Sequence, residues 1–229
     1  MEKLNQKPEL KSLDQDFLKK FSKYDFKEAR KKLREVYGMF WIKKRSKIKK
    51  LVEEKRLLEL LKAHRSTAER LDFYPLFLEM IPNNSKILDL GCGFNPIAFF
   101  YFNKKIDLTA SDISQEDLEL IKKINPKIKI MKLDLTKDYF KIKEKYDIIL
   151  LLKLLDVIEA QERNISEKII LHLLKHSKKL IVSFSTKSLG GRKTIRVIKR
   201  TWFEKLLKKN KINYSIKEFS NEIFYVLGL

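Results

Sequence analysis

The sequence predicts an α/β fold, with a mostly parallel sheet that ends in an antiparallel hairpin and a small helical domain in front of it. Three observations carry this prediction. Short apolar runs alternate with helical stretches from about residue 86 to residue 209, the pattern of a parallel sheet with crossover helices. Two further runs, 213–219 and 223–227, are close enough to pair as a hairpin. Residues 1–62 are nearly free of glycine and proline, and their apolar residues recur at helical spacing.

In the N-terminal stretch, Phe17, Phe21, Leu33, Val36, Phe40 and Ile42 recur among lysines and predict two or three amphipathic helices. Residues 1–62 hold 20 Lys and Arg against 10 Asp and Glu, so they carry +10 of the chain's net +21. The tract 41–50 is the densest part, flanked by Tyr37, Phe40 and Trp41. A solvated helix face and an RNA-docking surface both fit such a run. On the second reading Lys43, Lys44, Arg45 and Lys47 contact RNA, residues 1–62 form a basic helical docking domain, and residues 63–229 form the catalytic domain.

Beyond residue 63 the texture changes. Ser66 and Glu69 have the spacing of a capping box, and an apolar helix is expected over 71–80. Pro82-Asn83-Asn84-Ser85 turns the chain into the first strand, 87–90. Further strands are expected at 106–110, 128–133, 146–152 and 180–184, with helices at 97–103, 115–124, 166–176 and around 202–209.

The strand at 87–90 leads into Gly91-Cys92-Gly93, and the chain is organised around this stretch. It combines an acidic residue, Asp89, with glycines whose backbone can turn sharply and approach a ligand, and helix resumes at about Pro96. Strand, glycine loop and helix start form a nucleotide-type pocket. Asp89 and the proline at position 96, where a dinucleotide site has a third glycine, favour S-adenosylmethionine.

In open parallel sheets ligands sit beyond the carboxyl ends of the strands. Asp112, with Ile113 beside it, lies 21 residues after Gly91, where a carboxylate accepts hydrogen bonds from both ribose hydroxyls; a helix N-cap is its other reading. Asp134 and Leu135 follow the third strand and suit the adenine amino group and ring, although an aspartate after a strand is also an ordinary turn residue. The fourth strand ends in Leu151, Leu152 and Lys153, and Lys153 is the candidate for orienting the base. This end lacks the Asn/Asp-Pro-Pro-aromatic stretch of enzymes that methylate exocyclic amino groups, and the chain has no second cysteine to attack a pyrimidine. A ring nitrogen with a free lone pair, such as guanine N7, needs neither. Catalysis would then rest on positioning and electrostatics.

Composition narrows the setting. The single cysteine, Cys92, excludes an internal disulfide and a multi-cysteine zinc site, and His64, His172 and His176 lack the spacing of a metal centre. No apolar run approaches the ~18 residues of a membrane span, and the charged start has no signal-peptide core. A cytoplasmic monomer with no membrane contact and a polyanionic partner is expected.

Three stretches together carry a resemblance: 64–71 (HRSTAERL), 88–96 (LDLGCGFNP) and 182–192 (VSFSTKSLGGR). They are similar to the aminoglycoside-resistance 16S ribosomal RNA (guanine-N7)-methyltransferases. Leu151 to Leu155, with Glu159 and Gln161, resembles that family's fourth motif. The resemblance implies the class I methyltransferase (Rossmann-like) fold and methyl transfer from S-adenosylmethionine to guanine N7 in 16S rRNA, with the 30S subunit as partner. It further implies that Arg70 pairs with the methionine carboxylate, a suitable partner for a guanidinium fork. Gly91 and Gly93 would pass the methionine, Asp112 would hold the ribose, and Asp134 and Leu135 would frame adenine. Lys187 and Arg192 would sit by the RNA. The chain departs from the family at Ser185, where proline is usual, and in its basic tract 192–200. A tRNA substrate, another ribosomal position, and a non-catalytic RNA-binding protein on the same fold are the alternatives.

Overall fold

The computed structural model describes residues 10–13, 15–187 and 200–228. Among them, seven strands form one sheet: β1 Lys86–Leu90, β2 Asp107–Asp112, β3 Lys129–Lys132, β4 Tyr146–Leu152, β5 Ser177–Ser185, β6 Tyr214–Phe219 and β7 Glu222–Leu227. Their order is β3-β2-β1-β4-β5-β7-β6. Strands β1 to β5 run parallel, and β7 pairs antiparallel with both β5 and β6. The strand order reverses between β1 and β4, the switch point at which ligands bind in such sheets.

The apolar runs of β1, β4 and β7 suit strands covered on both faces, and the period of two divides them cleanly. Ile87, Ile148, Leu150, Phe224 and Val226 enter one core. Leu88, Leu90, Ile149, Leu151, Ile223 and Tyr225 enter the other. The first face is covered by α6 Tyr74–Glu79, α7 Asn95–Tyr101 and α8 Gln115–Ile124, and the second by α10 Leu155–Gln161, α11 Ile165–Leu174 and α12 Thr201–Lys209. A further short helix, α9, spans Leu135–Asp138.

The N-terminal stretch is more broken than its periodicity predicts. Its described residues form α1 Gln15–Lys19, α2 Phe26–Val36, a 3-10 turn at Gly38–Phe40, α3 Arg45–Glu53 and α4 Leu57–Leu61. Leu10, Phe17, Leu18, Phe21 and Leu33 form a cluster of their own around α1 and α2. In contrast, Ile48, Leu51, Leu60 and Leu61 join the first face's core, with α3 against α8 and α4 against α7.

Two local expectations are corrected. Helix α5, Arg65–Arg70, takes His64 as its N-cap residue, so Ser66 lies inside the first turn and forms no capping box. Its hydroxyl instead meets His64 Nδ1 at 3.0 Å. The helix expected over 71–80 opens as a 3-10 turn, Leu71–Phe73, and restarts as α6 with Pro75 in its first turn. Proline lacks the N–H that a continuous helix would use there. Helix α10, which forms a wall of the site, has no counterpart among the helices that the sequence predicts. No helix among the described residues is long and apolar enough to cross a membrane.

Candidate active site

Gly91 and Gly93 form the turn between β1 and α7 with φ of +59° and +48°. A side chain at either position is strained in this left-handed region and has no room. A Cβ on Gly91 would lie 2.8 Å from the Leu154 methyls, and one on Gly93 would lie 2.5 Å from the His64 ring. The loop is pinned from β2. Cys92 N–H donates to the Ser111 carbonyl at 3.0 Å, and Gly93 N–H donates to Asp112 Oδ2 at 3.0 Å. Ser114, not Asp112, caps α8. Burial and the nearby Asp117 carboxylate push the Asp112 carboxyl up to about 6.

This loop opens on a cavity lined by Gly91, Gly93, Asp112 and Ile113 from the first two strand ends and by Leu133, Asp134 and Leu135 after β3. Leu152, Lys153 and Leu154 line it from the end of β4, and Val157, Ile158 and Gln161 from α10. The N-terminal helices close it with Phe17, Val36, Tyr37, Phe40 and Trp41.

Aromatic packing fixes the wall beside Gly93. His64 stacks on Phe40 with ring centroids 5.9 Å apart and meets Trp41 edge-on at 5.0 Å. Burial, reinforced by the cationic Arg70, Arg45 and Lys153, holds the imidazole down near 3, so His64 is neutral at physiological pH. Tyr37 hydroxyl donates to Asp117, and Arg45 forms an ion pair with the same carboxylate while lying 4.6 Å from the Trp41 ring. These contacts join the N-terminal helices to α8 at the cavity wall.

Of the cofactor residues expected from sequence, Gly91, Gly93, Asp112, Ile113, Asp134 and Leu135 line the cavity, as does Lys153. Asp134 also caps α9 through Thr136 N–H at 3.2 Å and forms an ion pair with Lys20 from the N-terminal stretch. Three other expected residues lie off the cavity wall. Arg70 is 1% exposed and off the cavity wall, because Glu222 of β7 engages it at 2.7 Å through Nη2 and 3.2 Å through Nε. Asp89 points into the first face, where Asn95 Nδ2 donates to it at 2.7 Å. Its other oxygen, Oδ1, has no hydrogen-bond partner among the described residues, and burial pushes the carboxyl up to about 7. Leu151 points into the second face's core, so by strand alternation its neighbour Leu152 reaches the cavity.

Glu222 is the residue that sequence reasoning missed. Fully buried, it accepts from Arg70 and from the Ser183 hydroxyl and pairs with Lys153 Nζ at 3.3 Å. Lys153 Nζ also reaches Glu69 at 3.0 Å, and its backbone is left-handed with φ of +55°. Arg70 in turn lies near Tyr74 and Asn95. A lone glutamate at the head of an apolar strand gives no sign of burial until its cationic partners, 152 and 69 residues away in the chain, are known to share its face.

Among the expected RNA residues, Lys43 and Lys44 line a groove beside the cavity, and Lys47 is exposed on α3. Arg45 lines the same groove, with its guanidinium paired to Asp117. Lys187 is half-buried after β5, where its carbonyl accepts from the Ser185 hydroxyl at 2.6 Å. Arg192 lies outside the described residues.

The cavity's residues fit S-adenosylmethionine. Gly91 and Gly93 put bare backbone on the cavity wall, which a methionine chain can approach closely. Each Asp112 oxygen accepts one backbone N–H and retains capacity for a ribose hydroxyl. Ile113 and Leu135 supply apolar surface for a purine ring. Among the described residues no cluster of acidic, histidine and cysteine side chains suits a metal ion.

Comparison with known proteins gives a consistent result. Residues 24–226 match the model of the family described as "Ribosomal RNA methyltransferase (FmrO)". The chain is 29% identical over 182 residues to a 16S rRNA (guanine(1405)-N(7))-methyltransferase of Micromonospora echinospora, covering 75% of this chain and 65% of that one. It is 28% identical over 178 residues to the enzyme of the same name from Frankia casuarinae, covering 73% and 62%. The chain thus spans just under two thirds of the length of these relatives. Among solved structures, the 16S rRNA methylase ArmA superposes with a TM-score of 0.61 at 32% identity, covering 80% of this chain and 96% of that one. The 16S rRNA methyltransferase RmtF, in complex with S-adenosyl-L-homocysteine, superposes with a TM-score of 0.83 at 22% identity, covering 99% and 95%.

Proposed function

Because the chain belongs to the FmrO family of ribosomal RNA methyltransferases, we propose that it transfers the methyl group of S-adenosylmethionine to guanine N7 in small-subunit (16S) rRNA. One observation carries this reading. Gly91, Gly93, Asp112 and Lys153 converge on one cavity where the strand order reverses.

The bound cofactor supplies an electrophilic methyl group on a sulfonium. The chain's own residues would hold the reactants in line. Gly91 and Gly93 give the methionine its passage, Asp112 accepts from the ribose hydroxyls, and Ile113 and Leu135 flank adenine. Asp134 meets the adenine edge in exchange for its pairing with Lys20. Lys153, fixed by Glu69 and Glu222, holds positive charge at the cavity wall and orients the target base.

N7 of guanine attacks through a free lone pair, so no base has to remove a proton first. The cavity agrees with that requirement. His64 is the imidazole on its wall, and an imidazole held near 3 is a weak base at neutral pH. Cys92 is buried, so it is a poor covalent nucleophile. The N-terminal helices, with their +10 charge, would dock the RNA, and a ribosomal substrate would place this work in the cytoplasm.

Methyl transfer from tritiated cofactor to 30S subunits, naked 16S rRNA and tRNA, run in parallel, tests the proposal. Label in 16S rRNA supports it. Label confined to tRNA, or none in any substrate, contradicts it.

A further inference from the structure

A groove lies next to the cofactor cavity and shares Trp41 with it. Its lining includes Lys31 and Arg34 from α2, Lys43 and Lys44 from the loop before α3, and Arg65 from α5. Arg45 also lines it, but its charge is taken up by Asp117. One carboxylate, Glu35, faces this set. Two other lysines of α3 are paired within the fold, Lys49 with Glu116 at 2.9 Å and Lys50 with Glu54 at 3.7 Å. Lys31, Arg34, Lys43, Lys44 and Arg65 have no ion-pair partner among the described residues. Arg65 is held only by its Nε–H donating to the Met39 carbonyl at 3.2 Å.

Five unneutralised cations drawn together from three elements repel one another, and a polyanion relieves that repulsion. We propose that this groove holds the sugar–phosphate backbone next to the target nucleotide. Lys31, Arg34 and Arg65 act there together with Lys43 and Lys44. The proposal rests on the RNA methyltransferase reading and deepens it by naming the path of the strand. Apart from Trp41, the uncharged residues that line the groove are Gly38, Met39 and the half-exposed Ile42, whose side chains offer no polar pattern to a base edge. The groove suits sequence-independent contact with phosphates. Trp41, shared between groove and cavity, places the backbone directly beside the reaction chamber.

The test compares two variants of equal charge loss. One is Lys31→Gln, Arg34→Gln, Lys43→Gln and Lys44→Gln together. The other is Lys105→Gln, Lys122→Gln, Lys123→Gln and Lys127→Gln, exposed lysines near the opposite ends of the strands. Affinity for 30S subunits is measured across a series of potassium chloride concentrations, and calorimetry with S-adenosylhomocysteine checks that each site is intact. Each lost phosphate contact removes roughly 0.7–0.9 from the slope of log affinity against log salt, so the groove variant's slope falls in magnitude by about 3. The control variant keeps the wild-type slope. Equal slopes in the two variants overturn the groove proposal while leaving the enzymatic reading in place. Absence of salt-dependent 30S binding by the wild-type protein overturns both.

Discussion

The Asp112 carboxylate accepts a hydrogen bond from Gly93 N–H at 3.0 Å, so the residue proposed to hold the ribose also sets the glycine loop. Asp112→Ala is therefore expected to remove two features at once, a ribose acceptor and the anchor of the loop. Calorimetry with S-adenosylhomocysteine should detect no binding, and wild-type affinity would remove Asp112 from the site.

The same carboxyl gives that binding a pH dependence. Burial raises it to about 6, and ribose hydroxyls donate to its ionised form. Affinity should fall as pH drops through about 6, by up to tenfold per unit. Asp112→Asn should bind more weakly and without this dependence. A flat wild-type profile would count against the assignment.

Asp89 affects stability in the opposite sense to a salt-bridged aspartate. Its folded pKa is raised to about 7, so the folded state binds the extra proton between the ordinary aspartate value and about 7. Stability linked to this group is present at low pH and is lost as pH rises through that window. Asp89→Asn keeps an acceptor for Asn95 and carries no charge. Urea unfolding at several pH values should show the variant gaining on the wild type toward neutral pH, by a few kcal/mol at most. A constant difference would show that Asp89 does not titrate in this window.

The Arg70–Glu222 pair is wholly inside the protein, with side chains 1% and 0% exposed. Glu222→Ala leaves Arg70 and much of Lys153 uncompensated, and a loss of roughly 3–5 kcal/mol is expected from breaking such a pair. Thermal unfolding would register it, and combining Glu222→Ala with Arg70→Met should recover part of the loss. A cost within that of a surface substitution would contradict the network.

Gly93→Ala meets both a left-handed backbone and the His64 ring. It should abolish cofactor binding, and adding His64→Ala should restore only part, because the backbone strain of ~1–2 kcal/mol remains. Full binding by Gly93→Ala alone would show that the loop tolerates a side chain.

The sheet was largely legible because its strands carry apolar runs on both faces and its glycine loop has a distinctive form. Gly91, Gly93, Asp112 and Leu135 could be put at the mouth of the sheet because each lies at or within three residues of a predictable strand end. Arg70 and Leu151 lie off the cavity wall, which the local sequence does not reveal. Their orientation depends on which face a residue takes and on partners distant in the chain, Glu222 in the first case and strand alternation in the second. Arg45 looked like its lysine neighbours, yet Asp117 captures it from across the core boundary. The walls from Phe17, Tyr37 and α10 arise from packing between distant segments, which local periodicity does not encode.

The proposed chemistry is tested most directly by the identity of the methylated nucleoside. After incubation with S-adenosylmethionine and 30S subunits, 16S rRNA is digested to nucleosides and analysed by mass spectrometry against synthetic standards. The account predicts 7-methylguanosine above the level in untreated subunits, absent when the Asp112→Ala protein is used. A methyl group on any other base atom, or no increase with the wild-type protein, would contradict it.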